Sequence, residues 1–315
     1  MTDGVTLGPG AEFDAIRRLA DRWGERARGL GDDAAVLRLP RGDALVASVD
    51  SAVEGRHFKR EWLSPREIGY RSVAAALSDL AAMAARPVGV LVALTLPDSW
   101  RDQLLELADG IGDAVDVART HVRGGNLSGG TELTITTSVL GASFSPLTRA
   151  GARVGDRVYV TGTLGGPADA LRRLSRGEPA GVSRERFAHP IPRLDEACWL
   201  AERGASAAID VSDGLIADLR HLAAASAVTI DVDDERVPCV SGVDVSLALH
   251  GGEEYEIVVT SPRELNTVEF ERRFAVRLTD IGRVVSASHA DATRGDVTIR
   301  GARVANVAGY DHFSR

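Results

Sequence analysis

Short apolar stretches that end in carboxylates and glycines recur along this chain, and they constrain its fold more than any other feature. In the first case, residues 45–49 have the length and apolar character of a buried strand, and Asp50 follows at or just past its end. Glu54 comes next, and Gly55 allows the chain to turn. A carboxylate at the edge of a buried strand is either a cap or a ligand. One such case alone favours the cap, whereas the recurrence favours a ligand.

The same construction returns later in the chain. Asp210 and Asp213 follow an apolar stretch at a strand-to-helix turn, where capping of the helix by Ser212 or Asp213 is the alternative role. Acidic residues in glycine-flanked positions at the ends of predicted elements are Asp32, Asp33, Asp50, Asp210, Asp213, Glu253 and Glu254. Carboxylate oxygens are the ligands that Mg²⁺ and Ca²⁺ prefer. The set therefore favours a site for several metal ions and a polyphosphate over a role for any single residue.

Asp79 stands out because it lies in an apolar helix. Residues 64–67 match a helix N-terminus with a capping residue and proline at the first helical position, so we expect a helix from residue 65 to about residue 85. Asp79 is surrounded in sequence by alanine, leucine and methionine. A charge in such a setting is costly unless it is paired or bound to a metal ion. Asp79 is therefore a second candidate ligand, and a position on a solvated face is the alternative.

Two segments between residues 121 and 140 suggest a binding loop and a sheet. Residues 121–130 are predicted to leave a strand in a glycine-rich loop, whose backbone N–H groups could form an anion-binding nest. An ordinary turn is the alternative for this loop. Residues 133–140 alternate threonine with apolar residues, which is typical of a strand with one face in water or against another subunit.

The length of the chain favours two domains. A chain of 315 residues is long for a single hydrophobic core. A connector near residues 143–155 precedes a second run of strands and helices, so we place the domains at residues 1–145 and 146–315. Within the second domain, residues 175–191 are polar and are predicted to form a loop.

Composition excludes several classes of protein. The net charge of -8 argues against a broad nucleic-acid surface. Only two cysteines are present, Cys198 and Cys239, and without a CxxC motif they argue against a zinc site or a disulfide scaffold. The longest apolar run, residues 88–96, is too short to cross a bilayer, and the N-terminal residues lack the pattern of a signal peptide. We therefore expect a cytoplasmic protein without membrane or nucleic-acid partners.

Lysine is almost absent, and this removes the common ways of binding phosphate. Lys59 is the single lysine among 37 basic residues. A Walker A loop needs a lysine after its glycines, and the lysine, H-R-D and D-F-G motifs of protein kinases are also missing. If this chain handles phosphates, it does so through arginine, backbone N–H groups and metal ions.

Eight motifs follow one another in a fixed order along the chain. They are G-D-D-A-A from residue 31, D-S-A-V-E-G-R-H-F from residue 50, L-S-D-L-A-A-M from residue 77, G-G-N-L-S from residue 124, V-T-G from residue 160, I-D-V-S-D-G-L from residue 209, G-G-E-E-Y-E from residue 251 and G-Y-D-H-F from residue 309. Their order resembles that of the thiamine-monophosphate kinase family, which belongs with aminoimidazole ribonucleotide synthetase and selenophosphate synthetase. The resemblance runs from Glu12 to Phe313, and eight ordered motifs are more specific than any one of them.

The resemblance implies a fold and a reaction. It implies an α/β (α+β) synthetase-like fold of two domains, in which the N-terminal mixed sheet pairs with its copy in a homodimer to close a barrel and the C-terminal domain is α/β. ATP and Mg²⁺ would lie in the cleft between the domains. The implied reaction transfers the γ-phosphoryl group of ATP to thiamine monophosphate, giving thiamine diphosphate.

The resemblance also implies roles for individual residues. Those similar to magnesium ligands, or adjacent to them, are Asp32, Ser48, Val49, Asp50, Asp79, Asn126, Asp210 and Asp213. Those similar to nucleotide contacts are Gly125, Asn126, Arg149 and Ser212. Those similar to contacts with the acceptor are His57, Glu253, Glu254 and Tyr310. Catalytic roles fall to Asp50, Asp213 and Arg149.

The chain departs from the family pattern at four positions. Asn126 stands where the family usually has Asp, and Ala76 where Asn is common. Ala84 replaces a common Gly, and Glu254 replaces the Asp of a G-G-E-D motif. Asn keeps an oxygen ligand but loses a charge, so Asn126 predicts weaker binding of one metal ion.

Two other functions remain open at this point. One is a synthetase or kinase of the same fold that uses ATP with a different acceptor. Selenophosphate synthetase itself is disfavoured, because no cysteine precedes Cys198. The other is a non-catalytic nucleotide-binding homologue, which Asn126 allows.

Overall fold

The computed structural model describes residues 11–27, 39–286 and 295–304. These residues form two compact units. Unit 1 takes its described residues from Met1–Leu80 and Ala85–Phe144, and unit 2 from Ala81–Ala84 and Ser145–Arg315. No helix of the described residues is long and apolar enough to cross a membrane.

Unit 1 is built on a four-stranded mixed sheet. The strands are β1 (Ala44–Val53), β2 (Arg86–Leu96), β3 (Val122–Gly129) and β4 (Thr134–Ser143), in the spatial order β1-β4-β2-β3. Strand β4 runs antiparallel to both β1 and β2, while β2 and β3 are parallel. The helices of the unit are α1 (Ala11–Trp23), α2 (Pro65–Ala82) and α3 (Leu104–Val117), with short 3-10 helices at Gly24–Ala27 and Asp98–Gln103.

The two faces of this sheet differ in burial. On one face, Ile135 and Val139 of β4 and their β2 partners Leu94 and Val90 are buried in the core of the unit. The other face carries Thr136, Ser138 and Leu140, which are partly exposed. The alternation in β4 therefore confirms the predicted strand with one buried face, because side chains of successive strand residues point to opposite sides.

Strand β1 corrects the expectation of a buried strand. It forms where predicted, but it lies at an edge of the sheet that the described residues form, and none of its residues is buried. Leu45 and Val49 are 56% and 62% exposed. Asp50 lies within β1 rather than at its end, because the pairing with β4 continues to Val53. Sequence patterns report apolar character but not the order of strands, and this order leaves β1 with one neighbour among the described residues.

Helix α2 begins as predicted and ends earlier. The Ser64 N–H donates to Glu67 Oε2 at 2.7 Å and the Glu67 N–H to Ser64 Oγ at 3.3 Å, which is the reciprocal capping box. The helix ends at Ala82 instead of residue 85. The Ala85 N–H donates to Leu80 O at 2.8 Å while Ala84 takes a left-handed φ of 48°. This is the turn that glycine usually supplies after a helix.

Substitution of Ala84 by glycine is expected to stabilise the protein. A left-handed backbone costs an L-residue with a side chain ~1–2 kcal/mol, and glycine escapes most of this cost. We expect Ala84→Gly to raise the free energy of unfolding, measured by chemical denaturation, by ~0.5–1 kcal/mol after its larger loss of chain entropy. Ala82→Gly, in the last helical residue, is the control and should lower it. A loss of stability in Ala84→Gly would contradict the expectation.

Strand β3 corrects the prediction of a glycine-rich loop. Gly124, Gly125 and Asn126 lie inside the strand, opposite Leu91, Val92 and Ala93 of β2. A side chain at Gly125 would bring its Cβ within 1.8 Å of Val92 O. The glycine thus permits close approach of two backbones in a strand pair, a role that sequence alone does not separate from a turn.

Unit 2 is built on a seven-stranded mixed sheet. Its strands are β5 (Arg157–Thr161), β6 (Ala207–Asp210), β7 (Thr229–Val232), β8 (Ile257–Ser261), β9 (Leu278–Val285), β10 (Val297–Ile299) and β11 (Ala302–Arg303). Their order is β11-β10-β7-β9-β5-β8-β6, with β10 and β7 parallel and the other neighbouring pairs antiparallel.

Six α-helices of the described residues alternate with these strands or precede them along the chain. They are α4 (Gly166–Leu174), α5 (Gly181–Ala188), α6 (Leu194–Glu202), α7 (Leu215–Ser226), α8 (Val245–His250) and α9 (Thr267–Phe274), with 3-10 helices at Arg149–Gly151 and Asp234–Arg236. Leu215, Leu219 and Leu222 of α7 are fully buried in a core with Val158 and Ile209 of the sheet. This core joins α7 and α8 to the sheet from β5 to β10.

Helix α5 corrects the prediction that residues 175–191 form a loop. The segment is polar, but Phe187 is fully buried and Ser183 Oγ donates to Asp169 Oδ2 at 3.0 Å. The helix is stabilised by these tertiary contacts, and its sequence has no clear apolar stripe to reveal it.

Candidate functional site

Ser48 of β1 and Asp79 of α2 meet in unit 1. Ser48 Oγ donates to Asp79 Oδ2 at 2.5 Å. Asp79 is partly exposed between the fully buried Ser78 and Leu80. Its position against β1 explains how a carboxylate is tolerated in an apolar helix, since it has a hydrogen-bond donor there.

Asp50 lies on the same face of β1 as Ser48, because the two residues are two positions apart in one strand. The Asp50 side chain is exposed, and its Oδ1 accepts the N–H of Ser51 at 2.7 Å. Val49 points to the opposite face and has no side-chain ligand atom. Unit 1 thus brings a hydroxyl and two carboxylates to one side of β1.

The turn after β1 holds His57 in place. His57 Nδ1 accepts the N–H of Val53 at 3.0 Å. Glu54 supports the turn, because its carboxylate pairs with Arg60 at 3.0 Å and accepts the Trp100 indole N–H at 2.8 Å. The Arg60 guanidinium also stacks 3.8 Å from the Trp100 ring centre. These contacts give Glu54 a structural role in a turn that carries a candidate acceptor contact.

The candidate nucleotide contacts lie on separate elements. Asn126 is exposed on β3, beside Gly125. Arg149 begins the 3-10 helix Arg149–Gly151 in unit 2 and is also exposed. The backbone carbonyl of Arg149 accepts the hydroxyl of Ser226 at 2.6 Å, which attaches this turn to the end of α7.

The turn between β6 and α7 carries Asp210, Ser212 and Asp213. Asp210 ends β6 and is 5% exposed, while Ser212 and Asp213 are half-buried. The N-cap of α7 is Gly214, with no side-chain cap, so the alternative role of Ser212 or Asp213 as the helix cap is not borne out. The N–H groups of the turn before the helix are accepted by Asp218, which lies one turn into α7.

Asp218 makes the densest set of contacts in this turn. Its Oδ2 accepts the N–H groups of Ser212, Asp213 and Gly214, each at 3.1 Å. Burial, followed by the charges of Asp210 and Asp213, raises the pKa of Asp218 to about 8 against the opposite pull of these N–H donors. The charges of Asp210 and Asp213 therefore disfavour the ionised form of Asp218, and a bound cation beside them would offset this effect.

Residues 251–256 lie against the same turn. The Glu253 N–H donates to Ser212 O at 2.7 Å, and the Tyr255 N–H to Val211 O at 2.9 Å. Glu253 and Tyr255 have left-handed φ angles of 69° and 53°, which are strained for residues with side chains. A Cβ at Gly252 would come within 2.3 Å of Ser212 O, so only glycine fits there without movement.

Glu254 and Glu256 point into the interior of unit 2. Glu254 Oε1 accepts the Gly165 N–H at 2.5 Å, and Oε2 has no hydrogen-bond partner among the described residues. Burial raises the pKa of Glu254 to about 8. Glu256 is bound by two hydrogen bonds from Arg193, at 2.7 and 2.8 Å, and by the Thr161 hydroxyl at 2.6 Å.

Family comparisons place the chain. The model described as AIR synthase related protein, N-terminal domain, matches residues 31–143, and the corresponding C-terminal domain matches residues 153–294. The thiamine-monophosphate kinase of Escherichia coli K12 is 34% identical over 330 residues, with 96% of this chain and 98% of the relative covered. The chain belongs to the thiamine-monophosphate kinase family.

Solved structures of thiamine-monophosphate kinases agree. The enzyme from Stenotrophomonas maltophilia K279a matches with a TM-score of 0.82 and 33% identity, covering 93% of this chain and 98% of that one. A structure described as AaThiL complexed with AMPPCP and TMP matches with a TM-score of 0.76 and 27% identity, covering 99% and 100%. The resemblance inferred from the motifs and the two-domain mixed α/β fold are both confirmed.

The donor atoms of this thiamine-monophosphate kinase homologue suit Mg²⁺. Hydroxyl and carboxylate oxygens are hard ligands, and Mg²⁺ commonly takes one or two carboxylates together with water and substrate phosphates. No group of three or more His, Cys, Asp or Glu side chains that could hold a metal ion occurs within residues 11–27, 39–286 and 295–304. A Mg²⁺ ion held by these carboxylates would need further oxygens, from water or phosphate, to complete its coordination.

Two predicted site residues, Asp32 and Tyr310, lie outside the described residues. Two residues of this site were missed by sequence reasoning, Asp218 and Glu256. Asp218 follows Asp213 by five residues inside a helix, and Glu256 follows a glycine pair and two other carboxylates. The signal for each was present as an acidic residue beside a candidate motif, but its partners are known only from the fold.

Proposed function

We propose that this protein transfers the γ-phosphoryl group of ATP to thiamine monophosphate, forming thiamine diphosphate in the cytoplasm. The observation that carries the proposal is the likeness, over 99% of this chain, to a solved structure that holds AMPPCP and TMP. AMPPCP is an analogue of ATP, so that protein binds both kinds of substrate.

The chemistry requires no general base. A phosphate monoester has a second pKa of ~6, so its oxygen is already an anion at neutral pH. That oxygen attacks the γ-phosphorus in line with the departing ADP oxygen, and the main obstacle is repulsion between two polyanions. When bound, Mg²⁺ supplies charge neutralisation and alignment of the phosphates.

The residues of this chain take the following roles. Arg149 contacts phosphate, while Gly125, Asn126 and Ser212 contact the nucleotide. The metal ligands, with Val49 acting through its backbone, are Asp32, Ser48, Val49, Asp50, Asp79, Asn126, Asp210 and Asp213. His57, Glu253, Glu254 and Tyr310 contact the acceptor. Glu254 is 5% exposed, so contact with the acceptor requires a movement that exposes its carboxyl group. Its Oε2 has no hydrogen-bond partner among the described residues.

The test is an end-point assay with purified protein, ATP and Mg²⁺. Thiamine, thiamine monophosphate and aminoimidazole precursors are offered separately, and products are identified by mass. We expect one phosphoryl group on thiamine monophosphate and none on thiamine. Reaction with a different acceptor would favour another synthetase or kinase of this fold, and binding of ATP without any product would favour the non-catalytic homologue.

Asn126 provides a prediction on metal requirement. An amide oxygen coordinates Mg²⁺ without a full negative charge, so we expect an active enzyme in which Asn126→Asp saturates at a lower Mg²⁺ concentration. Titration of activity against Mg²⁺ for the two proteins measures this. Superimposable curves would remove Asn126 from the metal ligands, and activity that appears only in Asn126→Asp would support the non-catalytic alternative.

We also propose a homodimer formed through unit 1, in which the exposed sheet faces of two copies pair into a barrel. The face continues across Ala47 and Val49 of β1, Leu140 of β4 and Leu91 of β2, as their pairings place them side by side. Apolar side chains on an exposed sheet face are typical of a protein contact. The alternation in β4 fits a strand that is covered on both sides.

Light scattering tests the dimer. At micromolar concentration we expect about twice the chain mass of 33.3 kDa. Leu45→Asp places a charge on a residue that is 56% exposed on this face and should give the monomer mass. Val268→Asp, at a residue of unit 2 that is 76% exposed, is the matched control and should leave the mass unchanged. A monomeric natural protein would refute the proposal.

A further inference from the structure

The turn that precedes α7 has a backbone arrangement that ordinarily binds an anion. Consecutive backbone N–H groups that converge on one point form a nest for phosphate or carboxylate. Here the N–H groups of Ser212, Asp213 and Gly214 converge on one oxygen, Asp218 Oδ2, at 3.1 Å each. The protein therefore fills this nest with its own carboxylate.

Asp218 is committed to this position by its surroundings. It is 2% exposed, on a helix whose Leu215, Ile216 and Leu219 are fully buried. Movement of its carboxyl group away from the turn would leave a buried polar group without its three donors, and three backbone N–H groups without this acceptor. The nest is thus closed to an outside phosphate as long as α7 keeps its packing.

The opposite side of the turn is held by the backbone of residues 251–256. Glu253 donates to Ser212 O, and Tyr255 to Val211 O. The N–H groups of the turn donate to the Asp218 side chain, whereas the carbonyl groups of Val211 and Ser212 accept N–H groups from the segment before β8. Removal of the Asp218 side chain would free the N–H groups of the turn and leave the hydrogen bonds to its carbonyl groups in place. The contribution of Asp218 can therefore be measured separately.

We propose that Asp218 is a positioning residue, which holds the Ser212–Gly214 turn in one conformation for binding of metal and nucleotide and keeps nucleotide phosphate out of the backbone nest. This proposal rests on the proposed function for the roles of Ser212 and Asp213. A second consequence concerns phosphate binding. With the nest filled, phosphate oxygens are left to cations and to Arg149, in agreement with a chain that has no lysine-containing phosphate loop.

The experiment compares Asp218→Ala and Asp218→Asn with the natural protein. Asp218→Ala removes the acceptor, while Asp218→Asn keeps one oxygen in the same place. Asn266→Ala is the matched control, because Asn266 Oδ1 accepts the Glu269 N–H at 3.0 Å and so caps α9 of the same unit. Amide hydrogen exchange of residues 212–214 is measured without metal or nucleotide, and binding of Mn²⁺ with AMPPCP is measured by calorimetry.

We expect Asp218→Ala to speed exchange at residues 212–214 and to weaken binding of Mn²⁺ with AMPPCP ~10- to 100-fold, as for other partners that orient metal ligands. Asp218→Asn should recover part of both. Asn266→Ala should change neither, although it also removes a side-chain acceptor of a backbone N–H group in unit 2. If Asp218→Ala does not fold, Asp218→Asn alone decides, since unchanged exchange and binding in that variant would overturn the proposal.

The outcomes distinguish this proposal from the proposed function. Weakened binding in Asp218→Ala from a protein that phosphorylates no thiamine monophosphate would support positioning and refute the reaction. Full binding in Asp218→Ala, with stability reduced as in Asn266→Ala, would show that Asp218 contributes to stability alone and would overturn the proposal, whatever the acceptor.

Discussion

Replacement of Arg193 by methionine is expected to lower the free energy of unfolding by ~3–5 kcal/mol, enough to unfold much of unit 2 at moderate temperature. Arg193 donates two hydrogen bonds to Glu256, whose side chain is 2% exposed. Burial by itself would raise the pKa of Glu256, but the charge and hydrogen bonds of Arg193 outweigh it and hold that pKa below its usual value. The substitution leaves a buried carboxylate without its main partner.

The pH dependence identifies the mechanism. In the natural protein the lowered pKa of Glu256 contributes stability above the unfolded pKa of ~4.3, and this is lost as pH falls through the folded value. In Arg193→Met the buried carboxyl should have a raised pKa. Ionisation of this carboxyl then lowers the free energy of unfolding increasingly as pH rises above ~4.3. The variant should therefore recover part of its stability when pH is lowered from neutral to ~5.

Two further variants complete this test. Arg193→Met with Glu256→Met replaces the whole pair by apolar side chains and should be more stable than Arg193→Met alone. Arg203→Met breaks the half-exposed pair with Glu269, at 3.1 Å, and should cost less than Arg193→Met because water solvates both of its charged groups. Urea denaturation at several pH values measures all four proteins. A loss in Arg193→Met no larger than in Arg203→Met would show that the buried pair contributes little.

Asp50→Asn and Asp213→Asn are each expected to lower turnover at least ~100-fold, because each removes a charge from a proposed metal ligand and the loss of one such electrostatic contribution is commonly that large. The natural protein should lose activity on chelation of Mg²⁺ and regain it on addition. Asp50 is exposed on the side of β1 that carries Ser48, and Asp213 lies in the turn held by Asp218.

Exposed carboxylates elsewhere serve as controls for this prediction. Asp98, with a side chain 89% exposed in unit 1, and Glu264, 74% exposed in unit 2, should tolerate Asp98→Asn and Glu264→Gln with unchanged turnover. Initial rates are measured at saturating ATP and acceptor over a range of Mg²⁺. Near-natural turnover in Asp50→Asn or Asp213→Asn would remove that residue from the site.

Elements with a strong local signal could be predicted from the sequence. The capping box at Ser64 and Glu67 located the start of α2, and threonine alternation located β4 with its buried face. Asp79 was singled out because a carboxylate in an apolar helix needs a partner, and the structure supplies Ser48. In each case the information lies within a few residues of the feature.

Features that depend on distant partners could not be predicted. Glu256 and Arg193 are 63 residues apart, so their pairing exists only once the strands and helices of unit 2 are packed. The edge position of β1 follows from the order of strands in the described sheet. The extended conformation of Gly124 and Gly125 follows from the pairing of β3 with β2. Local composition carries neither kind of information.

Successive side chains of β1 point to opposite faces of the sheet, and this limits which insertions and deletions the strand can accept. Ser48 and Asp50 occupy the side that meets Asp79, while Leu45, Ala47 and Val49 occupy the side that we propose binds a second copy. Insertion or deletion of one residue before Ser48 would exchange the two sides, because the side-chain period of a strand is two. It would disturb assembly and metal binding in one step. Insertion or deletion of two residues would keep each side chain on its own face, so we expect the fold to tolerate it better.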